Sequence, residues 1–220
     1  MKKSTLDLRG AIVEKAVAIA ERSNWEAVRL FDIAAELDIS LDDIRAFFRE
    51  KEDLIDAWFD RADSHMLQTA ETLEFLSLPP RERLHLLIMA WLDALAEHRH
   101  VTRQMIGAKL EPGHLHIQIP AIMRISRTVQ WIREAAHRDA TFVRRALEET
   151  ALTAIYLATF TYWMRDASEN SQRTRDFLTQ ALHRAESLDH RVYGSRSQEA
   201  PIDATAESTA APEFSTAMNP

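Results

Sequence analysis

The stretch LFDIAAELDISLDDIRAFF, residues 30–48, constrains the fold more than any other part of the chain. Ile33, Ala34 and Leu37 share one face of a first short helix. Leu41, Ile44, Phe47 and Phe48 share one face of a second, at the three- and four-residue spacings that let two short helices bury a common core. Ala34 is small enough for a close crossing. Ser40 is placed to cap the second helix with its hydroxyl, and Asp43, three residues on, to return a bond to the Ser40 backbone, a capping box that starts this helix at a defined residue. The pattern is that of a helix-turn-helix.

The rest of the chain points the same way. In 220 residues there are only four Gly and seven Pro, three of the Pro falling in the last twenty positions, while Ala, Leu, Glu and Arg dominate. Such a composition favours long helices, and the length is enough to bury a substantial core. No Cys is present, which excludes disulfides, thiol catalysis and the common structural zinc sites. The first residues lack the apolar core of a secretory signal, and no uninterrupted apolar run reaches transmembrane length, so a cytoplasmic protein is expected. Residues 1–63 carry ten Lys/Arg against fifteen Asp/Glu, a balance of −5, the wrong sign for neutralising phosphates.

Periodicity predicts helices over residues 6–22, 51–77, 80–96, 102–110, 120–137, 141–165 and from about Asn170 or Ser171 to Leu188. Pro120 is expected to start its helix, and Asn170 or Ser171 to cap the last. Ala151 to Met164 is apolar around nearly its whole circumference, so it needs cover on two sides: the core on one, a second copy of the chain on the other. Residues 191–220 are rich in Ala, Ser, Thr and Pro without apolar periodicity and are expected to be a disordered tail. The expected division is therefore 1–50, 51–190 and 191–220.

Enzyme chemistry has little to build on. The His98/His100 and His114/His116 pairs have a spacing that points ligands to different helix faces, and there is no phosphate-cradling Gly-rich loop and no Gly-x-Ser-x-Gly motif. No catalytic residue, metal or cofactor is expected. The richest candidate site is an apolar pocket. Trp91, Met105, Met123, Trp131, Tyr156, Phe160 and Trp163, with Met164, come from four helices and offer aromatic faces and adaptable thioethers, though each taken alone reads more readily as plain core.

The first sixty residues resemble the amino-terminal domain of TetR-type transcriptional regulators. The resemblance rests on the order of a helix over 6–22, the turn Asn24-Trp25, the pair Ile33-Ala34, the aromatic pair Phe47-Phe48 and the element Lys51-Glu52-Asp53-Leu54. It implies an all-α TetR-like fold, with a three-helix helix-turn-helix domain followed by a helical bundle, acting as a homodimer on a DNA operator under control of a small apolar effector or lipid. The implied DNA-binding residues are Lys2, Lys3, Ser40, Leu41, Arg45, Arg49 and Lys51. Two positions depart from the pattern. Asp38 stands where a turn Gly is usual, and the second helix begins with Asp42 and Asp43 and carries Ala46 in place of an aromatic that often touches a phosphate. Residues 144–185, with Arg144-Arg145-Ala146, Ala154-Ile155-Tyr156, Tyr162 to Ser168 and Thr174 to Leu178, also resemble the ubiquinone-biosynthesis accessory proteins. That resemblance implies an alternative on the same fold, a lipid- or isoprenoid-binding accessory protein without DNA binding.

Overall fold

The computed structural model describes residues 5–109, 115–137 and 142–193. All regular elements among them are helical: α1 (Thr5–Arg22), α2 (Leu30–Leu37), α3 (Leu41–Arg45), α4 (Glu52–Ala70), α5 (Leu73–Ser77), α6 (Pro80–Asp93), α7 (Arg99–Lys109), α8 (Leu115–Ala135), α9 (Phe142–Trp163) and α10 (Gln172–Tyr193). The chain divides into a compact unit, Met1–Ala185, and a second unit that begins at Glu186. Most of the expected tail, residues 194–220, lies outside the described residues.

The helix-turn-helix forms for the reasons legible in its residues. Ile33, Ala34 and Ile44 are buried between α2, α3 and the Ile12, Val13, Ala16 and Val17 face of α1. Asp38 takes the left-handed conformation, with φ 53° and ψ 49°. The Ile39 N–H then reaches the Ala34 carbonyl at 3.0 Å and the Asp38 N–H the Ala35 carbonyl at 3.4 Å, the pairing of a Schellman cap. The capping box is complete: the Asp43 N–H donates to Ser40 Oγ at 3.1 Å and the Ser40 N–H to Asp43 Oδ2 at 2.9 Å. Those bonds from Ser40 hold the Asp43 carboxyl below the usual carboxylate range. Helix α3 stops at Arg45, so Phe47 and Phe48 follow it in a turn, where Phe48 is buried beneath the Arg9 guanidinium, 5.6 Å from its ring centroid. Leu41 does not join this core; at 54% exposure it faces outwards from the first turn of α3.

Several expected boundaries shift: α6 ends at Asp93, α7 begins at Arg99 and α10 runs on to Tyr193, and three further differences have a local cause. The helix predicted over 51–77 breaks at Glu71, because Thr72 is extended and caps a separate α5 by accepting from the Phe75 N–H at 3.3 Å. Helix α8 begins at Leu115, so Pro120, lacking an N–H, sits inside it rather than at its start. Helix α10 begins at Gln172 and is capped neither by Asn170 nor by Ser171, whose φ values of 50° and 54° belong to the preceding turn.

The α1–α2 turn is tied to the remainder of the compact unit by Trp25. Its N–H donates to Gln104 Oε1 of α7 at 2.7 Å, and its carbonyl accepts from Lys51 Nζ at 2.6 Å, where α4 begins. Replacing Ser40 with Ala should lower stability by about 1 kcal/mol through loss of the cap, and Asp38→Gly should raise it by several tenths of a kcal/mol through relief of the left-handed backbone. Urea midpoints would check both; an unchanged midpoint in Ser40→Ala would mean that the capping box contributes nothing.

Candidate functional site

The outward face of α3 is short and mostly self-paired. Arg45 donates from Nε and Nη2 to Asp42 Oδ1 at 3.0 and 2.7 Å, with both side chains more than three-quarters exposed. Asp43 is committed to the cap, so the two acidic residues have different occupations. Lys51 is turned inwards: Nζ donates to the carbonyls of Trp25 and Glu26 at 2.6 and 3.1 Å and lies over the Trp25 ring. Burial, with Arg29 nearby, pushes its ammonium down from the ordinary lysine range. This explains the Lys51 to Leu54 element physically, because Lys51 fastens the turn while Leu54 is fully buried. Arg49 is exposed; its N–H donates to Asp53 Oδ2 at 2.7 Å, and no carboxylate pairs its guanidinium among the described residues. Lys2 and Lys3 lie outside the described residues. Elsewhere on this domain, Lys15 and Arg22 both pair with Glu36, at 3.3 and 2.6 Å.

Within the bundle, four of the expected ligand residues come together. Trp91 of α6 meets Tyr156 and Phe160 of α9 edge-on, at centroid distances of 5.3 and 5.6 Å, and Phe160 stacks on Trp163 at 5.9 Å. Phe59 of α4 completes the group, stacked on Trp91 at 5.7 Å with ring planes 3° apart. These rings fill one another's surroundings, each contact contributing about 0.5–1.5 kcal/mol beyond simple burial. Met105 is fully buried on α7, whereas Trp131 is 47% exposed on α8 and turns away from the cluster. Met123 has no described side chain.

Beside the rings lies a polar group absent from the expected site. Asp63 of α4 accepts from Trp91 Nε1 at 2.7 Å and Thr128 Oγ1 at 3.0 Å on one oxygen, and from Arg124 Nη2 at 3.2 Å on the other. Burial raises its carboxyl, against the lowering effects of the Trp91 bond and the Arg124 charge. Burial likewise pushes the Tyr156 phenol well up, with the Asp63 charge acting in the same direction. The sequence did hold a signal: Asp56, Asp60 and Asp63 recur at four- and three-residue spacing on one side of the helix predicted over 51–77.

The α9–α10 turn is fixed by Asp166. One of its oxygens accepts from the Ser168 N–H and Oγ at 2.8 and 2.7 Å, the other from the Thr174 N–H and Oγ1 at 3.0 and 2.7 Å. Ser168 Oγ in turn accepts from the Arg173 N–H at 3.1 Å, so Asp166 and Ser168 satisfy the first turn of α10. Arg99 of α7 donates to the Asp166 carbonyl and to Ser171 Oγ, and lies over the Trp163 ring, 4.5 Å from its centroid. Burial pushes the Asp166 carboxyl up, but the bonds from Thr174 and Ser168 outweigh it and hold the group well below the usual carboxylate range.

A capped helix-turn-helix joined to an aromatic-cored helical bundle is the architecture of a one-component regulator. Among solved structures, the chain matches the TetR transcriptional regulator from Nitrosomonas europaea ATCC 19718 at 61% sequence identity and a TM-score of 0.74, over 82% of this chain and 98% of that one. The chain belongs to the TetR family. Residues 139–189 also match the COQ9 family, a span that includes the Asp166 turn. No curated protein matches the sequence.

Because the folded Asp166 is held below its unfolded value, the stability it contributes is present above the ordinary carboxylate range and lost as pH falls through it. Asp166→Asn should therefore destabilise by about 1–3 kcal/mol at neutral pH. The gap from the native chain should stay level down to about pH 5 and narrow below about pH 4, as the unfolded carboxyl takes up its proton. A gap that widened on acidification, measured by urea titration across pH, would contradict the charged cap.

Proposed function

We propose that the chain is a homodimeric, DNA-binding regulator whose helical bundle responds to an apolar ligand, in the cytoplasm. The observation that carries DNA binding is the presentation of α3. Its start is fixed by the Ser40–Asp43 box, its inner residue Ile44 is buried, and its outer face offers Leu41 and Arg45, with Arg49 beyond the turn. The Arg45–Asp42 pair does not bar this role. An ion pair so exposed stabilises by less than about 1 kcal/mol, so a DNA phosphate or guanine edge can take the guanidinium from Asp42. Ser40 serves by setting the helix start, and Lys51 by fastening the turn that carries α2. Two such domains set side by side would meet successive major grooves.

Support for the dimer comes from α9. Its inner face buries Leu152, Tyr156, Phe160 and Trp163, while Leu147, Ala151, Ala154, Ala158 and Tyr162 form an exposed stripe at helical spacing. The stripe borders an open groove of about 520 Å³ against α10, with Tyr162 stacked on Phe177 at its edge. A second copy of the same stripe is the simplest cover for it. The aromatic cluster supports the ligand half of the reading, since a ligand entering between Trp91 and Tyr156 would have to move α6 or α9 against α4.

Two observations favour a second reading, a lipid-binding accessory protein that has given up DNA. The COQ9 match covers the α9–α10 region, and most described cations of the helix-turn-helix are already paired or bound to carbonyls. Among the described residues, no helix is long and apolar enough to cross a membrane.

Selection of bound fragments from genomic DNA at two salt concentrations separates the readings. On the DNA reading, affinity falls with salt, Arg45→Ala costs about 1–3 kcal/mol, and Asp42→Asn strengthens binding by freeing Arg45. No enriched fragment at either salt, with no gain from Asp42→Asn, would favour the accessory reading. For assembly, sedimentation should give a dimer at micromolar concentration, burying on the order of 1,500 Å² or more in total, and Ala158→Glu should yield a folded monomer. A native chain that sediments as a monomer would remove both the dimer and the two-groove mechanism.

A further inference from the structure

Three carboxylates of α4, Asp56, Asp60 and Asp63, hold four other helices. Asp56 accepts from Lys109 Nζ of α7 at 2.6 Å. Asp60 is shared: Oδ2 accepts from Arg9 Nη2 of α1 at 3.2 Å, and Oδ1 from Arg124 Nη1 of α8 at 2.9 Å. The other arm of Arg124 reaches Asp63 Oδ2 at 3.2 Å, and Asp63 Oδ1 holds the Trp91 indole. An unbroken chain of charge-assisted bonds thus runs from the aromatic cluster to α1, the helix on which the helix-turn-helix is packed. Arg124 is its middle member, shielded, with its guanidinium 5.5 Å from the Phe59 ring centroid. Its planar fork suits it to two carboxylates at once.

We propose that Arg124 is a charge switch that sets how tightly α4 grips α1. Arg9 and Arg124 compete for the single charge of Asp60, and their own like charges repel across it. When Arg124 is drawn towards Asp63, as it would be if Trp91 moved and left Asp63 short of a donor, Asp60 is left to Arg9 and the α1–α4 contact tightens. When Trp91 holds Asp63, Arg124 divides itself between the two carboxylates and the grip on α1 loosens. A movement of Trp91 in the aromatic cluster is thereby read at the helix-turn-helix domain through the shared carboxylates. This deepens the ligand-responsive reading, yet the test needs neither DNA nor ligand, so its failure is distinguishable from a failure to bind DNA.

The experiment is a double-mutant cycle of Arg9→Gln and Arg124→Gln on the full chain, read as melting-temperature shifts at low salt and repeated in an Asp60→Asn background. The shift caused by Arg9→Gln should be larger when Arg124 is already Gln than in the native chain. That difference should vanish with Asp60→Asn and shrink at high salt, since Arg9 and Asp60 are partly exposed. Arg124→Lys, which keeps the charge but cannot fork, should give the same sign at smaller size, and it serves in place of Gln if that variant fails to fold. Additive shifts, a smaller Arg9→Gln effect once Arg124 is gone, or coupling that survives Asp60→Asn would each overturn the switch.

Discussion

The pairing of Asp63 allows helix α4 to lie at the centre of the compact unit. A carboxylate taken out of water costs several kcal/mol unless its lone pairs are met, and here an indole N–H, a hydroxyl and a guanidinium meet them. Each donor comes from a helix packed on α4, so the bonds that satisfy the charge also orient α6 and α8 around it. An apolar residue at this position could pack as well, but it would leave Arg124 buried with only the partly exposed Asp60. The polar centre and the aromatic wall are therefore one construction: Trp91 stacks on Phe59 with its face and bonds Asp63 with its edge.

That construction bears on how a ligand would be admitted. The rings of Phe59, Trp91, Tyr156, Phe160 and Trp163 contact one another, so a molecule entering among them would have to displace aromatic partners. Trp163 is buried with its indole N–H lacking a hydrogen-bond partner among the described residues. Such a donor costs about 1–3 kcal/mol, a strain the surrounding packing must carry. The Asp166 turn supplies part of that support, since Arg99 bonds the turn and covers the Trp163 face in one reach.

Local chemistry was the readable part of the chain. The capping box, the left-handed Asp38 and the buried Ile33 and Ile44 follow from neighbours within a few residues, and the structure has them as the sequence implies. Boundaries failed where one residue outweighed periodicity: Thr72 ended α4 early although the apolar stripe continued, and Asp166 with Ser168 started α10 from outside the expected caps. Pairing over long separations could not be read. Spacing puts Asp60 and Asp63 on one side of α4 but not against their partners, Arg9, Trp91 and Arg124, which lie up to 64 positions away. Trp131 fell on the exposed side for a related reason, as helical spacing fixes faces relative to one another but not which of them meets the core.

The double role of Trp25 bears on where the chain can be divided. By sequence, a boundary near residue 50 separates the helix-turn-helix from the helical bundle. The Trp25 N–H is nevertheless satisfied by Gln104 and its carbonyl by Lys51, and its buried ring lies beneath the Lys51 ammonium. Cutting after residue 50 would strip a donor, an acceptor and a cation–π partner from one turn at once. The turn between the first two helices thus takes its hydrogen-bond partners from beyond residue 50, and the part that faces outwards shares its bonding with the part that does not.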